Sequence, residues 1–212
     1  MQIDIVFGIV ILIFSVILHE VAHGYMANYL GDPTARLMGR LTLNPFPHID
    51  LLGSIILPAV LVIAGSPLLI GYAKPVPYNP YNLRGRFGEA LVAFAGPGTN
   101  ILLAVIFGLL IRVFGAGLDS GLLDALATIV YINMLLALFN LIPIPPLDGS
   151  KILSGILPEA LGRAYDSFRF NFEQLGVLSG TLLILIVFYF LAPYFFVSIL
   201  LPIFRFLTGG GF

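Results

Sequence analysis

Long apolar runs constrain this 212-residue chain before any single residue does. A helix needs about 20 apolar residues to cross the hydrocarbon of a bilayer. Residues 3–30, 87–114, 122–141 and 175–201 each approach or exceed that length. Only 10% of the residues are charged and 59% are hydrophobic, where soluble domains carry roughly 25% charged. So few charges cannot cover a water-facing surface, and the mean hydropathy of +1.04 agrees. The expectation is an all-α polytopic membrane protein in a lipid bilayer, one domain over residues 1–212, without room for a separate soluble module. A net charge of −1 gives no electrostatic case for nucleic acid. The absence of cysteine excludes disulfides and thiolate metal sites.

The N-terminus, Met1-Gln2-Ile3-Asp4, has no basic region, so the first run reads as a retained helix. It stops at Gly31-Asp32-Pro33, a helix-ending sequence. Residues 34–44 alternate in character through Arg36, Met38, Arg40 and Thr42 and read as extended chain or a short hairpin. Residues 51–64 are apolar but short and contain Pro58; residues 66–82, rich in Pro, Gly, Tyr and Asn, read as extended. The second long helix, 87–114, contains Gly96-Pro97-Gly98, and the third, 122–141, ends at Pro143, Pro145 and Pro146. Residues 148–174 hold most of the C-terminal charge and read as interfacial, ahead of a final spanning helix at 175–201.

Near the end of the first helix stands His19-Glu20-Val21-Ala22-His23. Positions four apart lie on one helix face, one turn from each other, so both imidazoles can reach a single metal ion. Glu20 lies beside them, where a carboxylate can deprotonate a water at the metal. The same five-residue pattern occurs by chance in soluble proteins. Here, two histidines and a glutamate in a hydrocarbon-embedded helix are costly without partners, which favours the metal. A catalytic zinc site takes three protein ligands and leaves a fourth position open. The third ligand could be His48 or a carboxylate. Among the carboxylates Asp148 stands out, because Pro143, Pro145, Pro146 and Gly149 give it a stiff, non-helical approach. An ordinary helix N-cap for the segment that follows explains Asp148 equally well.

Taken together, three motifs resemble the site-2 protease family of intramembrane metalloproteases. They are His19-Glu20-Val21-Ala22-His23, then Phe94-Ala95-Gly96-Pro97-Gly98-Thr99-Asn100, then Asn140 through Pro143 to Leu147-Asp148-Gly149, in the family's order and spanning about residues 10–153. The resemblance implies one Zn2+ per chain held by His19, His23 and Asp148, with Glu20 as catalytic base. It also implies that Asn140 steadies the substrate carbonyl or its oxyanion; a helix-cap reading of Asn140 competes with it. Gly96 and Gly98 read as close helix-packing contacts, and Asn100 as a bond across helices without direct chemistry. Gly39 to Pro45, His48-Ile49-Asp50 and Gly71 to Pro77 are similar to a compact prokaryotic branch without PDZ or CBS modules. His48 and Asp50 then read as loop-structuring residues.

The fold expected is a three-helix catalytic core within about residues 3–153. Additional hydrophobic segments and short extended strands, at 36–43 and 68–74, lie near the active site. An interfacial segment and the final transmembrane helix fill about 154–212. For His19 and His23 to meet Asp148, the chain must cross the membrane an even number of times between them. The second and third helices supply two crossings, so residues 51–64 must re-enter or return. Under this parity Arg36, Arg40, Lys74, Arg84, Arg86, Lys151, Arg163 and Arg169 share the active-site side, with Arg112 and Arg205 opposite. Basic residues mark the cytoplasmic side. The N-terminus is therefore expected outside a prokaryotic plasma membrane and the metal nearer the cytoplasm. The function implied is cleavage of the transmembrane segment of a single-span membrane-protein substrate, an unwound stretch of which the strands could pair with by strand addition. A transporter or ion pathway and a catalytically inactive membrane scaffold are the rival readings. A prenyl-type membrane protease is a third, but its glutamate ligand has no match in an apolar helix here.

Overall fold

A computed structural model describes residues 5–56, 59–60, 63, 72–174, 186, 189–190 and 194–210. The first helix, α1 (Ile5–Tyr29), exposes Val6, Ile9, Leu12, Ile13 and Phe14 along its N-terminal half. Its second half buries Ser15, Ile17, His19, Val21 and His23. Exposed apolar side chains with polar groups among the buried ones are the inverse of a water-soluble helix, and the arrangement suits lipid. Gly31, at φ +112°, ends α1: a residue with a Cβ is strained there, and the reversal lets the Asp32 N–H bond back to the Ala27 carbonyl.

Beyond this reversal lies α2 (Thr34–Leu37), one helical turn. The expectation of extended chain at 36–43 fails here for a local reason. Asp32 accepts from both the backbone N–H and the hydroxyl of Thr34, and this bonding starts a turn. No residue among those described belongs to a β-strand. Residues 72–79 belong to no helix or strand, and Pro75 and Pro77 carry no N–H for a ladder. Of the strand expected at 68–74, residues 68–71 lie outside the described residues, as do residues 175–185, 187–188 and 191–193 of the expected final helix.

Two more long helices follow, α3 (Gly88–Phe114) and α4 (Ser120–Asn140). Glu89 stands in the first turn of α3, where a negative charge suits the helix dipole, and Asp119 caps α4 by accepting from the Leu122 N–H at 3.0 Å. With α1 they make three helices long and apolar enough to cross a membrane. The three pack against one another through small residues, Ala93, Gly96, Ala104, Ala127 and Ala137 among them. Such contacts bring backbones close where lipid supplies no hydrophobic drive. Prolines after Ile142 stop α4, and α5 (Asp148–Ile156) and α6 (Glu159–Gln174) follow. α5 packs on α3 and α6 on α5. Arg169 of α6 bonds Glu89 at the start of α3 at 3.1 Å. Phe196–Leu200 and α7 (Leu201–Thr208) lay Leu200 and Phe204 against Ala104, Ile111, Val130 and Met134, the apolar end of the bundle.

The segment between α1 and α3 closes tightly at its base. The Arg84 N–H bonds the Leu30 carbonyl at 2.8 Å, so α1 ends where the approach to α3 begins. Further along, Tyr72 donates to the Gly53 carbonyl at 3.1 Å and accepts from the Ser54 hydroxyl at 2.9 Å. The chain that leaves at Ser54 is thus back beside its starting point at Tyr72.

Candidate metal centre

Three elements deliver the site. One turn of α1 places His19 and His23 on its buried face, their rings edge to face with centroids 4.6 Å apart. The third residue comes from the junction of α4 and α5. Gly149 sits so close to the Leu141 and Ile142 carbonyls that a Cβ would collide with both, and this contact sets α5 directly against the end of α4. Asp148 is therefore the first residue of α5, with Leu147 in the capping position, and its side chain is free to leave the helix. Its Oδ2 lies 3.1 Å from His19 Nε2 and 3.2 Å from His23 Nε2. The N-cap alternative for Asp148 does not hold.

The far side of each imidazole decides its chemistry. His23 Nδ1 lies 2.7 Å from the Val92 carbonyl, which can only accept, so Nδ1 donates. His19 Nδ1 lies 2.6 Å from Asn100 Oδ1 and donates likewise. In the neutral rings both Nε2 atoms are then bare lone pairs, aimed at a carboxylate oxygen that also only accepts. Three acceptors converging in a buried place require a cation among them.

The residues fit zinc. Its tetrahedral ligands, at bonds of about 2.0–2.1 Å, sit roughly 3.3 Å apart, close to the spacing here. Two neutral imidazoles and a carboxylate are a common catalytic donor set, and each imidazole has the outer partner that ligating histidines need. The space is also kept clear. A Cβ on Gly96 of α3 would lie against Nε2 of both histidines, 2.6 Å from that of His19. Gly96 was expected to serve helix packing; it also leaves room at the metal-facing nitrogens. Zinc is thus the metal implied, and His19, His23 and Asp148 can form its site.

Glu20 points to a different neighbour. Its Oε2 accepts from the Val76 N–H at 2.8 Å. Between Pro75 and Pro77, Val76 offers the single backbone donor of that stretch. Asn140 is the last residue of α4, and Leu141 is the cap; the Asn140 amide donates to the Leu136 carbonyl at 2.9 Å. His48 donates from Nε2 to the Thr42 carbonyl, and Asp50 accepts from the N–H groups of Leu52 and Gly53, so both organise the loop.

Sequence reasoning missed the Val76 N–H, the Val92 carbonyl and the direct bond from Asn100 to His19. A lone N–H between two prolines and an amide in an apolar run were signals for the first and third. The Val92 carbonyl had none, since every residue carries one.

Comparison with known proteins gives concordant results. Residues 109–187 match the profile of Peptidase family M50. The chain is 39% identical over 158 residues to "Putative zinc metalloprotease YwhC" of Bacillus subtilis, an alignment covering 71% of this chain and 68% of that protein. It is 30% identical over 152 residues to "Putative zinc metalloprotease Rip2" of Mycolicibacterium smegmatis, covering 72% of this chain and 58% of that one. With "Zinc metalloprotease MJ0392" of Methanocaldococcus jannaschii it shares 25% identity over 153 residues, which is 35% of that protein's length. No solved structure matches the chain.

Proposed function

This chain belongs to Peptidase family M50 and is a site-2-protease-like membrane zinc metalloprotease, and we propose that it cleaves single-span membrane proteins within the bilayer. In this reading His19, His23 and Asp148 hold one zinc, Glu20 is the general base and Asn140 assists at the oxyanion. The carrying observation is the convergence of His19 Nε2, His23 Nε2 and Asp148 Oδ2, with both Nδ1 atoms already donating elsewhere. The transporter and scaffold readings are not favoured, since the two buried histidines of α1 and Asp148 of α5 meet at one point.

Zinc bound there supplies Lewis-acid polarisation of the scissile carbonyl and lowers the pKa of water beside it. The protein's own groups do the rest. Glu20 takes the proton of the attacking water and hands it to the leaving amine nitrogen as the C–N bond breaks. The Val76 N–H holds one carboxylate oxygen of Glu20 and so sets the direction of the other. One amide N–H of Asn140 is committed to Leu136, which fixes the amide plane. The second N–H is the donor proposed for the developing oxyanion. The basic residues that share the Asp148 side support a cytoplasm-facing site in a prokaryotic plasma membrane, with the N-terminus outside.

The test is metal content of the detergent-purified chain beside Asp148→Ala and His23→Ala. About one zinc per chain is expected in the parent and none in either variant, as a three-ligand site requires. Zinc unaffected by Asp148→Ala would break the site. Glu20→Gln should keep its zinc and lose cleavage of a reconstituted single-span substrate; retained cleavage removes Glu20 as the base.

A further inference from the structure

Behind His19 the bundle contains a second row of buried polar groups, for which the mechanism above has no use. Asn133 of α4 is 1% exposed, Asn100 of α3 0% and Ser15 of α1 4%. Polar groups at this depth are costly unless paired. Their pairing here has a direction.

An asparagine amide can be turned either way, and its partners determine which end faces where. Asn133 Nδ2 lies 2.9 Å from the Ile129 carbonyl, which can only accept, and 3.0 Å from Ser15 Oγ. Its Oδ1 is therefore turned to α3 and accepts from Asn100 Nδ2 at 2.8 Å. The other N–H of that nitrogen reaches the Ser15 carbonyl at 3.3 Å, again an acceptor only. What Asn100 has left for His19 is its oxygen. Two backbone carbonyls, with no proton to offer, thus fix the sense of the whole row.

That sense matters for the metal. If the Asn100 amide turned over, an NH2 group would face His19 Nδ1, and Nδ1 would have to accept. The ring proton would then sit on Nε2, the nitrogen that must be bare to bind a cation. On the reading that His19 is a zinc ligand, we propose that Asn133, supported by Ser15, is a positioning residue for the metal. It orients the Asn100 amide so that His19 is held as its Nδ1–H tautomer.

The test uses the full chain in detergent and reads the zinc dissociation constant by competition with a chromophoric chelator. Helix content and the thermal midpoint are followed in the same samples. Asn133→Leu is expected to weaken zinc binding about 10- to 100-fold, the range for lost outer partners of ligating histidines. In an Asn100→Leu background the same change should add less than about twofold, because both cut one chain of bonds. Histidine 15N spectra of the zinc-loaded parent need no variant, and should show His19 protonated at Nδ1 and metallated at Nε2. Metallation through Nδ1, unchanged zinc affinity in folded Asn133→Leu, or full additivity with Asn100→Leu would each overturn the role of Asn133 while leaving the metal site standing. A parent chain that binds no zinc would overturn both.

Discussion

Asp32 and Asp148 are both withdrawn from solvent, and their surroundings are opposite in kind. Asp32, 0% exposed, collects donors: the N–H and hydroxyl of Thr34, the Asn82 amide and the Asn79 N–H, at 2.6 to 3.3 Å. Its negative charge is fully answered by hydrogen, and nothing further is needed. Asp148 collects acceptors, two imidazole nitrogens whose protons lie on the far side of their rings. Its charge is answered only when a cation enters. Both are carboxylates held away from solvent; the polarity of the neighbours separates a structural knot from a site.

The largest effect expected from this contrast is at Gly96. Gly96→Ala places a methyl against the metal-facing nitrogens and should weaken zinc about 100-fold or more, since small displacements of ligating groups are poorly tolerated. Chelator competition measures it, with the thermal midpoint of the metal-free chain as control; parent-like zinc affinity would mean that the three groups do not form the site. Asp32→Ala is the converse. It strands several buried donors and should cost about 2–4 kcal/mol of stability in detergent unfolding, while zinc per folded chain stays at the parent level. Loss of zinc from folded Asp32→Ala would erase the distinction between the two aspartates.

The smallest effect is on pH dependence. Burial pushes the Asp32 carboxyl up, but hydrogen bonds from Thr34, Asn82 and Asn79 outweigh it and hold the group below its ordinary value. A carboxyl lowered on folding contributes stability that is fully present above its unfolded value, about 3.9, and is lost as pH falls through the folded one. Metal-free parent chain should therefore lose stability on acidification below about pH 4 more steeply than Asp32→Ala. Parallel acid limbs would assign the hydrogen bonds around Asp32 no preference for its ionised form.

Much of the molecule was legible in the residues. The three spanning helices follow from apolar length, and the four-residue spacing of His19 and His23 puts both rings on one face. The prolines and Gly149 around Asp148 announced a defined approach to a point, although an ordinary cap read as well until the resemblance and then the fold decided. The alternation in 36–43 suggested a strand, and Asp32 overrode it by bonding Thr34. That bond joins residues two apart, yet it holds because Asn79 and Asn82 arrive to complete the knot.

The sequence by itself determined that this chain lives in a bilayer and which residues are costly enough there to need a common partner, because hydrocarbon penalises every unpaired polar group. Only the tertiary structure decided which end of each polar group faces which neighbour. Val92 turns His23, Asn100 turns His19, and Val76 holds Glu20, through contacts spanning 69, 81 and 56 positions of chain. A hydrogen bond has a direction, and that direction is set by the register of packed helices rather than by the identity of the residue that carries it.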